Sequence, residues 1–313
     1  MNSLAVVLET PRMLDLRQLG LVPPTADDIV VDVDWSGIST GTERLLFTGR
    51  MPPFPGLGYP LVPGYESVGR VVDAGAGARH RIGETVFVPG ASCFEGARGL
   101  FGAAASRIVT RQARAIAVDP GLGERAVLLA LAATACHALA APGAALPDLV
   151  VGHGILGRLL ARMAISIGGT PPTVWERAPL RVAGALGYEV VRPEDDPRRD
   201  YRAIYDASGS ADILDLSIAR AAKGAEIVLA GFYETRLGFD FVPAFMRETR
   251  IRVAAEWLPQ DLAAVAKLVE RGDLSLDDLV THCADAAQAK DAYPLAFEDP
   301  RCLKMVLDWR TAA

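Results

Sequence analysis

The sequence has few cysteines and little positive charge, and these two shortages exclude several classes of protein. Its 313 residues include four cysteines, and no two of them form a C-x-x-C pair. We therefore expect neither a disulfide framework nor a zinc ribbon, and we expect a reducing compartment. The formal net charge is −6 at pH 7, so the chain lacks the basic surface on which binding to nucleic acid or to anionic lipid depends.

Long apolar segments are also scarce. Residues 1–4 carry neither a basic segment nor a long apolar one, so we expect no signal peptide and a cytoplasmic location. The apolar run at 126–141 contains Thr134 and His137 and is closed by Pro142. It is shorter than the ~20 residues that a membrane-spanning helix needs, and it predicts a buried helix and no integral membrane span.

The first 120 residues consist largely of short segments that are rich in β-branched side chains. Proline and glycine separate these segments, most densely between residues 49 and 60. Short strands with such breaks are typical of a small, irregular barrel and not of a parallel sheet. The predicted strands are 4–8, 29–33, 67–72, 85–89 and 107–110.

After Pro147 the pattern changes to an alternation of strands and helices. About six strands in this alternation predict an α/β domain with a doubly wound parallel sheet. The predicted strands are 149–151, 173–175, 188–191, 203–206, 226–229 and 250–254. The helices between them are centred on 159–167, 179–187, 211–222 and 242–248.

The last part of the chain predicts a return to the first domain. Helices at 261–271 and 285–297 and a strand at 303–307 are expected there, packed against the barrel. The expected domains are therefore 1–120 with 259–313, and 121–258, which holds the connecting helix and the nucleotide-binding sheet.

A glycine-rich motif, G-x-G-x-x-G, directly follows the first strand of the α/β domain. Glycines at these places allow a tight turn, a close approach of the backbone to a pyrophosphate, and close packing of helix on strand. The free N–H groups at the start of the helix would bind the phosphates. The motif comprises Gly152, His153, Gly154, Ile155, Leu156 and Gly157. We expect His153 to lie over the pyrophosphate.

An acidic residue at the end of the second strand supports dinucleotide binding. Glu176 stands there, ~20 residues after the glycines, where such a residue binds the ribose hydroxyls. A carboxylate at this place repels the 2′-phosphate of NADP and favours NAD, whereas the adjacent Arg177 could accept that phosphate. The ends of later strands line the ligand crevice of such sheets. They add the candidate cofactor-binding residues Asp206, Ala207, Ser208, Gly209, Gly231 and Phe232.

The order of these domains and two motifs resemble the medium-chain dehydrogenase/reductase superfamily over essentially the whole chain. The motifs are Gly-Ile-Ser-Thr-Gly-Thr-Glu at 37–43 and Pro-Gly-Tyr-Glu at 63–66. The resemblance implies a GroES-like irregular β-barrel as the catalytic domain and a Rossmann domain that binds NAD. In zinc-dependent members a cysteine and a histidine of these motifs hold the metal, and here Ser39 and Tyr65 stand in their places.

The other metal ligands of the superfamily are missing from the sequence as well. The third ligand would fall near Ala130, and Cys93 is alone where a four-cysteine zinc lobe would lie. Glu66 remains, but a zinc site needs about three or four protein ligands. We therefore predict that the chain has no catalytic zinc.

Within the superfamily the chain is most similar to the dehydrogenases of bacteriochlorophyll biosynthesis. The similar stretches are 36–43, 51–56, 88–91, 130–135, 242–246 and 254–257. That family implies oxidation of the 3-(1-hydroxyethyl) group of a bacteriochlorophyllide to 3-acetyl, with hydride transfer to NAD. The alternatives are a zinc-free quinone or enone reductase that uses NADPH, and a non-catalytic protein that binds a nucleotide or a pigment on the same scaffold.

Without zinc, a side chain must take the proton of the alcohol. Tyr65 is one candidate, but its ordinary pKa of ~10 would have to be lowered. His137 is the other, with an ordinary pKa of ~6.5. The competing interpretation of each is a packed core residue. Ser39 and Thr42 are expected to relay the proton or hold the hydroxyl, or else to cap a turn. Glu66 is expected to hydrogen-bond to the surroundings of Tyr65 or to lie behind the residues that contact the substrate.

The resemblance also implies a flat tetrapyrrole substrate that bears a propionate. Aromatic side chains would form its walls, and arginines would pair with its carboxylate. The aromatic candidates are Phe47, Phe54, Tyr59, Phe94, Phe101 and Trp257, and the arginine candidates are Arg44, Arg50 and Arg98. By analogy with the superfamily we expect a homodimer in which the edge strands of the nucleotide-binding sheets pair.

Overall fold

The computed structural model describes residues 1–312. Contacts within the chain divide it into two units, Met1–Ala130 with Leu276–Ala313, and Leu131–Ser275. Both boundaries lie later in the chain than the expected ones at 120/121 and 258/259. The first differs because the helical segment after residue 119 packs on strands of the first unit. The second differs because the helix after residue 258 is bonded to the second unit through Asp261.

The first unit opens with short strands that proline and glycine separate, as the sequence predicts. Up to Ala130 its strands and one short α-helix are, in chain order, β1 (Asn2–Thr10), β2 (Met13–Gly20), β3 (Asp28–Ile38), α1 (Thr42–Thr48), β4 (Leu61–Val62), β5 (Ser67–Ala74), β6 (Thr85–Val88), β7 (Arg98–Gly99), β8 (Arg107–Arg111) and β9 (Ile116–Ala117). The sequence does not predict β2, β4, β7 or β9. Half of the residues of β2 are exposed, and the other three strands are each two residues long.

The apolar run near the middle of the chain forms the predicted buried helix. Its first part, Pro120–Leu128, is a 3-10 helix that turns at Gly123 and continues as α2 (Leu129–Leu139). Within residues 1–312 this is the one stretch with the length and hydropathy of a membrane span, and more than half of it is buried in the protein. Ala130 and Ala133 are fully buried.

The second unit is organised around one parallel sheet. After α2 its elements are β10 (Leu149–Val151), α3 (Ile155–Ser166), β11 (Thr173–Trp175), β12 (Glu189–Val191), β13 (Tyr201–Asp206), α4 (Ile213–Arg220), β14 (Ala221–Leu229), α5 (Phe241–Arg247), β15 (Arg250–Val253) and α6 (Pro259–Glu270). The strands pair in parallel in the order β12-β11-β10-β13-β14-β15. The chain runs outward from β10 to β12 and then returns to β13 on the other side of β10. The predicted doubly wound sheet is confirmed, with its switch point between β10 and β13.

One predicted helix of this unit is wrong. Residues 179–187 form only a short 3-10 turn, Pro179–Arg181, followed by an irregular loop. Gly184 and Gly187 have φ angles of 88° and 79° in this loop, in the left-handed region that a right-handed helix excludes. The helix predicted at 211–222 is also shorter than expected, because β14 begins inside that range.

The last part of the chain returns to the first unit. Its elements are β16 (His282–Asp285), α7 (Ala289–Glu298) and β17 (Met305–Asp308). Strand β17 pairs antiparallel with β3 in a sheet of order β16-β17-β3-β5-β6-β9, and β8 also pairs with β3. A second sheet has the order β2-β1-β4-β7, and apolar side chains of β1, β3, β8 and β17 share one core. Helix α6, which was expected in this unit, belongs to the other one.

Candidate active site

The glycine turn after β10 has the geometry that the motif predicts. Gly152 has φ of +94°, and a Cβ there would lie 3.1 Å from Cα of Ser208. A Cβ at Gly157 would collide with the carbonyl oxygen of Gly152, so α3 packs directly on the turn. At Gly154, in contrast, no described atom lies within 4 Å of the Cβ position. The turn therefore leaves open space at the place where a pyrophosphate would approach the start of α3.

Glu176, at the end of β11, lies beside this turn. Its Oε2 accepts a hydrogen bond from the backbone N–H of His153 at 3.1 Å, and its Oε1 accepts one from Ala178 at 2.7 Å. The side chain is half-buried, and the neighbouring Arg177 is exposed. Each carboxylate oxygen keeps a further lone pair, so Glu176 is held in place and can still accept hydrogen bonds from ribose hydroxyls.

The side chain of His153 does not lie where a pyrophosphate would bind, contrary to the sequence expectation. It is fully buried. Its Nδ1 donates to the carbonyl of Arg181 at 2.6 Å, and its Nε2 accepts from the hydroxyl of Tyr188 at 2.8 Å. Burial lowers the pKa of His153 to about 4, which keeps the ring neutral near pH 7. The sequence cannot show that the ring turns inward, because both partners lie in the loop that replaces the predicted helix.

The turns after β13 and β14 meet the glycine turn at one end of the sheet. Gly152 packs on Ser208, and a Cβ at Gly231 would lie 3.1 Å from the backbone nitrogen of Gly209. The structure thus brings the predicted cofactor-binding residues of these turns together. Ala207 contributes its backbone N–H, which bonds to the carbonyl oxygen of the last residue of β10. Phe232, which follows Gly231, is 45% exposed.

Asp206 supports these turns from inside the protein. Its Oδ1 accepts a hydrogen bond from the backbone N–H of Ser208 at 2.8 Å, and its Oδ2 accepts one from the hydroxyl of Tyr233 at 2.5 Å. Burial raises the pKa of this carboxyl group. Asp206 is fully buried, so it positions the turns and is not placed to contact a ligand.

In the first unit three hydroxyl groups form a cluster at the ends of β3, α1 and β4. Ser39 Oγ lies 2.8 Å from the hydroxyl of Tyr65 and accepts a hydrogen bond from the backbone N–H of Thr42 at 3.3 Å. Burial and the nearby charge of Glu66 raise the pKa of Tyr65 above its ordinary value. Tyr65 could act as a base near neutral pH only if its pKa were lowered. Its pKa is raised instead, so Tyr65 is neutral near pH 7.

Glu66, the residue after Tyr65, bonds to Lys304. The two charged groups are buried, with Nζ of Lys304 2.7 Å from Oε2 of Glu66. A side chain at Gly37 would collide with Oε2 of Glu66, so the glycine of the motif makes room for this carboxylate. Burial raises the pKa of Glu66, and the charge of Lys304 opposes that shift. The pair joins the start of β5 to the chain just before β17.

Glu43 belongs to the site, and reasoning from the sequence missed it. Its Oε1 accepts a hydrogen bond from the backbone N–H of Ser39 at 3.0 Å, and its Oε2 accepts one from the hydroxyl of Tyr293 on α7 at 2.7 Å. Burial raises its pKa to about 7. The sequence did offer a signal for Glu43: it is the last residue of the motif at 37–43 and directly follows Thr42, a candidate site residue.

His137 lies in the second unit, on α2. Its Nδ1 lies 2.8 Å from Oδ2 of Asp261. The same oxygen accepts a hydrogen bond at 2.7 Å from the backbone N–H of Leu258, at the start of α6. A carboxylate only accepts hydrogen bonds, so Nδ1 carries the hydrogen and Nε2 is the atom that can take a proton. Asp261 is a second residue that reasoning from the sequence missed.

Aromatic side chains flank Tyr65 in the first unit. The ring of Phe101 lies edge-on to Tyr65 at 5.6 Å between centroids, and Phe54 lies 6.3 Å from Phe101. Phe47 and Tyr59 pack in the same apolar cluster. Of the other predicted wall residues, Phe94 is buried in the barrel core and Trp257 belongs to the second unit. The three predicted arginines, Arg44, Arg50 and Arg98, are exposed.

The chain is similar to known dehydrogenases in both sequence and structure. Residues 25–140 match the family described as the alcohol dehydrogenase GroES-like domain. Over its full length the chain is 56% identical to the 2-desacetyl-2-hydroxyethyl bacteriochlorophyllide A dehydrogenase of Rhodobacter capsulatus, with 100% of both chains covered. The protein of the same name from Cereibacter sphaeroides is also 56% identical, again with 100% of both chains covered. The chain belongs to this dehydrogenase family.

The fold of the dehydrogenase is shared by more distant proteins. An alcohol dehydrogenase from Escherichia coli CFT073, crystallised with NADH, superposes with a TM-score of 0.84 at 21% sequence identity. The match covers 98% of this chain and 99% of that one. The resemblance to the medium-chain superfamily and the combination of a GroES-like barrel with a Rossmann sheet are confirmed.

Metal-binding side chains do not cluster in the described part of the dehydrogenase. Among residues 1–312 no three His, Cys, Asp or Glu side chains come close enough to hold a metal ion. Ser39 and Tyr65, which replace two zinc ligands of the superfamily, bond to each other. Ala130, near the place of the third ligand, presents a buried methyl group. That the enzyme works without zinc stays a prediction.

Proposed function

We propose that this dehydrogenase oxidises the 3-(1-hydroxyethyl) group of a bacteriochlorophyllide to 3-acetyl and transfers the hydride to NAD, in bacteriochlorophyll biosynthesis and without a catalytic zinc. The observation that carries the proposal is the 56% identity, over the full length of both chains, to two dehydrogenases named for this reaction. The reaction removes a hydride from the carbinol carbon and a proton from its oxygen, so the protein must bind a hydride acceptor and provide a path for the proton.

The residues of the second unit fit a dinucleotide. The open space at Gly154 and the free N–H groups at the start of α3 would take the pyrophosphate. Glu176 would accept hydrogen bonds from the ribose hydroxyls, and its charge favours NAD over NADP by repelling a 2′-phosphate. Bound NAD supplies the acceptor for the hydride. Ser208, Gly209 and Gly231 would line the same crevice at the ends of β13 and β14.

We assign the removal of the proton from the substrate alcohol to the hydroxyl cluster of Ser39, Thr42 and Tyr65. Because burial raises the pKa of Tyr65, the phenol is protonated and acts as a hydrogen-bond donor to the substrate oxygen. This bond strengthens as the oxygen gains negative charge, which lowers the barrier to loss of the proton. A hydroxyl can also pass a proton on, by accepting one while it releases its own, and Ser39, bonded to Tyr65, can continue this path toward water. The backbone N–H of Thr42 holds the Ser39 hydroxyl in place.

His137 is the second candidate, and one observation favours it. Its bond to Asp261 fixes the tautomer in which Nε2 accepts a proton, as a carboxylate does for the histidine of other proton-transfer sites. The same bond also joins α2 to the start of α6, which is reason enough for it to exist without any catalytic role. Kinetics of variants at Tyr65 and His137 separate the two candidates.

The aromatic group beside Tyr65 suits a flat, apolar macrocycle. Phe101 and Phe54 continue from Tyr65 as a row of rings, and rings of this kind pack well against a tetrapyrrole face. Arg98 is exposed and lies on β7, three residues before Phe101. We assign the substrate carboxylate to this guanidinium group, because arginine binds carboxylates through two parallel hydrogen bonds.

We propose that the enzyme is a homodimer joined through the second unit. Strand β15 is at an edge of the parallel sheet, and an edge with free N–H and C=O groups pairs readily with a second copy. The strand and the helix before it expose an unusual number of large apolar side chains: Phe241, Val242, Phe245, Met246, Ile251 and Val253. Val253→Lys should give a monomer in light scattering, whereas Val72→Lys, at an exposed position of the barrel, should stay dimeric.

The cysteines support a reducing location. Cys93, Cys136, Cys283 and Cys302 are all free. We therefore propose that the enzyme acts in the cytoplasm, where thiols stay reduced.

Turnover of the proposed substrate is the decisive test of function. The purified protein, given NAD and a bacteriochlorophyllide with a 3-(1-hydroxyethyl) group, should form NADH and the 3-acetyl product in equal amounts. Activity should survive treatment with a zinc chelator, and metal analysis that finds one tightly bound zinc per chain contradicts the zinc-free mechanism. A strong preference for NADPH with reduction of a quinone or enone identifies the reductase alternative. Pigment or nucleotide binding without turnover identifies the non-catalytic one.

A further inference from the structure

The loop that replaces the predicted helix is hydrogen-bonded to side chains of the glycine turn and of the helix that follows it. Loop 177–188, which joins Glu176 to β12, has only the 3-10 turn Pro179–Arg181 as regular structure. A loop without helical hydrogen bonds must satisfy its inward backbone groups in another way. Three of its carbonyls, those of Arg181, Ala183 and Gly184, accept hydrogen bonds from one side chain, that of Arg158.

Arg158 is the residue directly after the last glycine of the motif, and its side chain is buried. Its Nη1 donates to the carbonyl of Gly184 at 3.0 Å, and its Nη2 donates to those of Ala183 at 2.7 Å and Arg181 at 3.1 Å. Its Nε donates to the carbonyl of His153 at 3.0 Å. Gly184 makes room for this guanidinium group, because a Cβ there would collide with Nη1.

His153 forms the second set of bonds between the glycine turn and loop 177–188. Its ring bonds to the carbonyl of Arg181 at 2.6 Å and to the hydroxyl of Tyr188 at 2.8 Å. Its backbone N–H bonds to Glu176 at 3.1 Å. One residue of the glycine turn thus contacts the carboxylate at the start of the loop, the 3-10 turn and the tyrosine at the end of the loop.

We propose that His153 and Arg158 are positioning residues that lock loop 177–188 onto the glycine turn and thereby hold Glu176 ready for the cofactor ribose. That Glu176 is held ready for the ribose rests on the proposed cofactor site. That the two residues lock the loop onto the glycine turn does not depend on that site. An ordered loop binds its ligand more tightly than a mobile one, because the cost of ordering it does not reduce the binding free energy. Arginine suits the role because its rigid, planar group offers several donors at once.

Variants that remove the lock should loosen the loop and weaken NAD binding. We expect Arg158→Met and His153→Ala to raise the Kd for NAD by about tenfold or more, measured by titration of tryptophan fluorescence, to which Trp175 contributes beside Glu176. The kcat at saturating NAD should change by less than about twofold, because bound cofactor restores the order. Arg202→Met, at an exposed position of β13, is the matched control and should bind NAD like the wild type.

Limited trypsin digestion without NAD tests the lock separately from the proposed function. Cleavage after Arg177 and Arg181 should be slow in the wild type and in Arg202→Met, and at least about tenfold faster in the two lock variants. Tyr188→Phe removes the bond to Nε2 of His153 and leaves Arg158 in place, so it should give a smaller increase, which keeps the test valid if Arg158→Met fails to fold. Unchanged cleavage in the folded variants overturns the lock. A wild type that resists trypsin but does not bind NAD contradicts the proposed function and leaves the lock standing.

Discussion

The hydroxyl oxygen of Tyr65 lies 2.8 Å from Oγ of Ser39. The two residues stand where zinc-dependent members of the superfamily carry the histidine and the cysteine that hold the metal. Protein zinc sites use thiolate, imidazole and carboxylate ligands, and in this enzyme the two hydroxyl groups bond to each other instead. We therefore propose that hydroxyl groups, and the side chains that position them, provide the chemistry that a metal would provide.

Replacing Tyr65 should slow the chemical step strongly. We expect Tyr65→Phe, which keeps the ring against Phe101, to lower kcat by roughly 10²-fold, as the loss of a proton-handling group does. The KM for NAD should stay near the wild-type value, because the residues that would hold NAD belong to the second unit. Steady-state kinetics at saturating NAD is the measurement.

His137→Gln is the companion variant to Tyr65→Phe. A small effect of His137→Gln on kcat supports the hydroxyl cluster, and a loss of ~10²-fold there together with a near-normal Tyr65→Phe assigns the proton to His137. Wild-type activity in both variants contradicts both assignments.

Glu43 should make the stability of the fold fall as the pH rises toward neutrality. Its pKa is raised from 4.5 to about 7 by burial, so the folded state favours the protonated form. Between pH 4.5 and 7 the unfolded chain loses this proton while the folded chain keeps it, and the resulting destabilisation is complete above pH 7. The shift corresponds to a cost on the order of 3 kcal/mol.

Glu43→Gln should remove this pH dependence, because the amide can still accept from Ser39 and bond to Tyr293. The free energy of unfolding of the variant, measured in urea at several pH values, should rise relative to wild type as the pH increases from 4.5 to 7. Equal pH dependence in the two proteins would show that Glu43 ionises normally.

Two glycines of the cofactor turn should respond differently to alanine. Gly157→Ala places a methyl group against the carbonyl oxygen of Gly152 and should destabilise the protein by about 1–3 kcal/mol, as overpacking does. Gly154→Ala points into open space, so the thermal midpoint should stay close to that of the wild type while NAD binding weakens. Thermal unfolding and NAD titration of both variants are the measurements. Normal NAD affinity in Gly154→Ala would place the pyrophosphate elsewhere.

The buried pair of Glu66 and Lys304 should be costly to break from one side. Lys304→Met leaves the carboxylate of Glu66 buried without its partner, which should lower the free energy of unfolding by roughly 3–5 kcal/mol. The double variant Lys304→Met with Glu66→Gln removes the unpaired charge and should recover a large part of that loss. Urea unfolding of the single and double variants measures the difference, and additive losses would show that the two groups are not coupled.

Much of the second unit can be predicted from the sequence because its signals are local. The strand before Gly152, the spacing of the three glycines and the acid at the end of the next strand all lie within about 30 residues, the size of one βαβ unit. The structure shows Gly152 in a left-handed conformation, Gly157 in close contact with the turn, and open space beside Gly154. The helix predicted at 179–187 is wrong for the opposite reason. Its sequence permits a helix, and Arg158 and His153 instead satisfy the loop's carbonyls from another element.

The sequence by itself determined the order of the domains, the doubly wound sheet, the glycine turn and the absence of zinc-type ligands at Ser39 and Tyr65, because these depend on residue types and short spacings. Tertiary structure alone decided which side chains meet. Tyr293 reaches Glu43 across 250 positions of the chain, Lys304 reaches Glu66 across 238, and Asp261 reaches His137 across 124. No periodicity or motif encodes such pairs. They form because a buried polar group must find a partner, and only the packed fold brings that partner within reach.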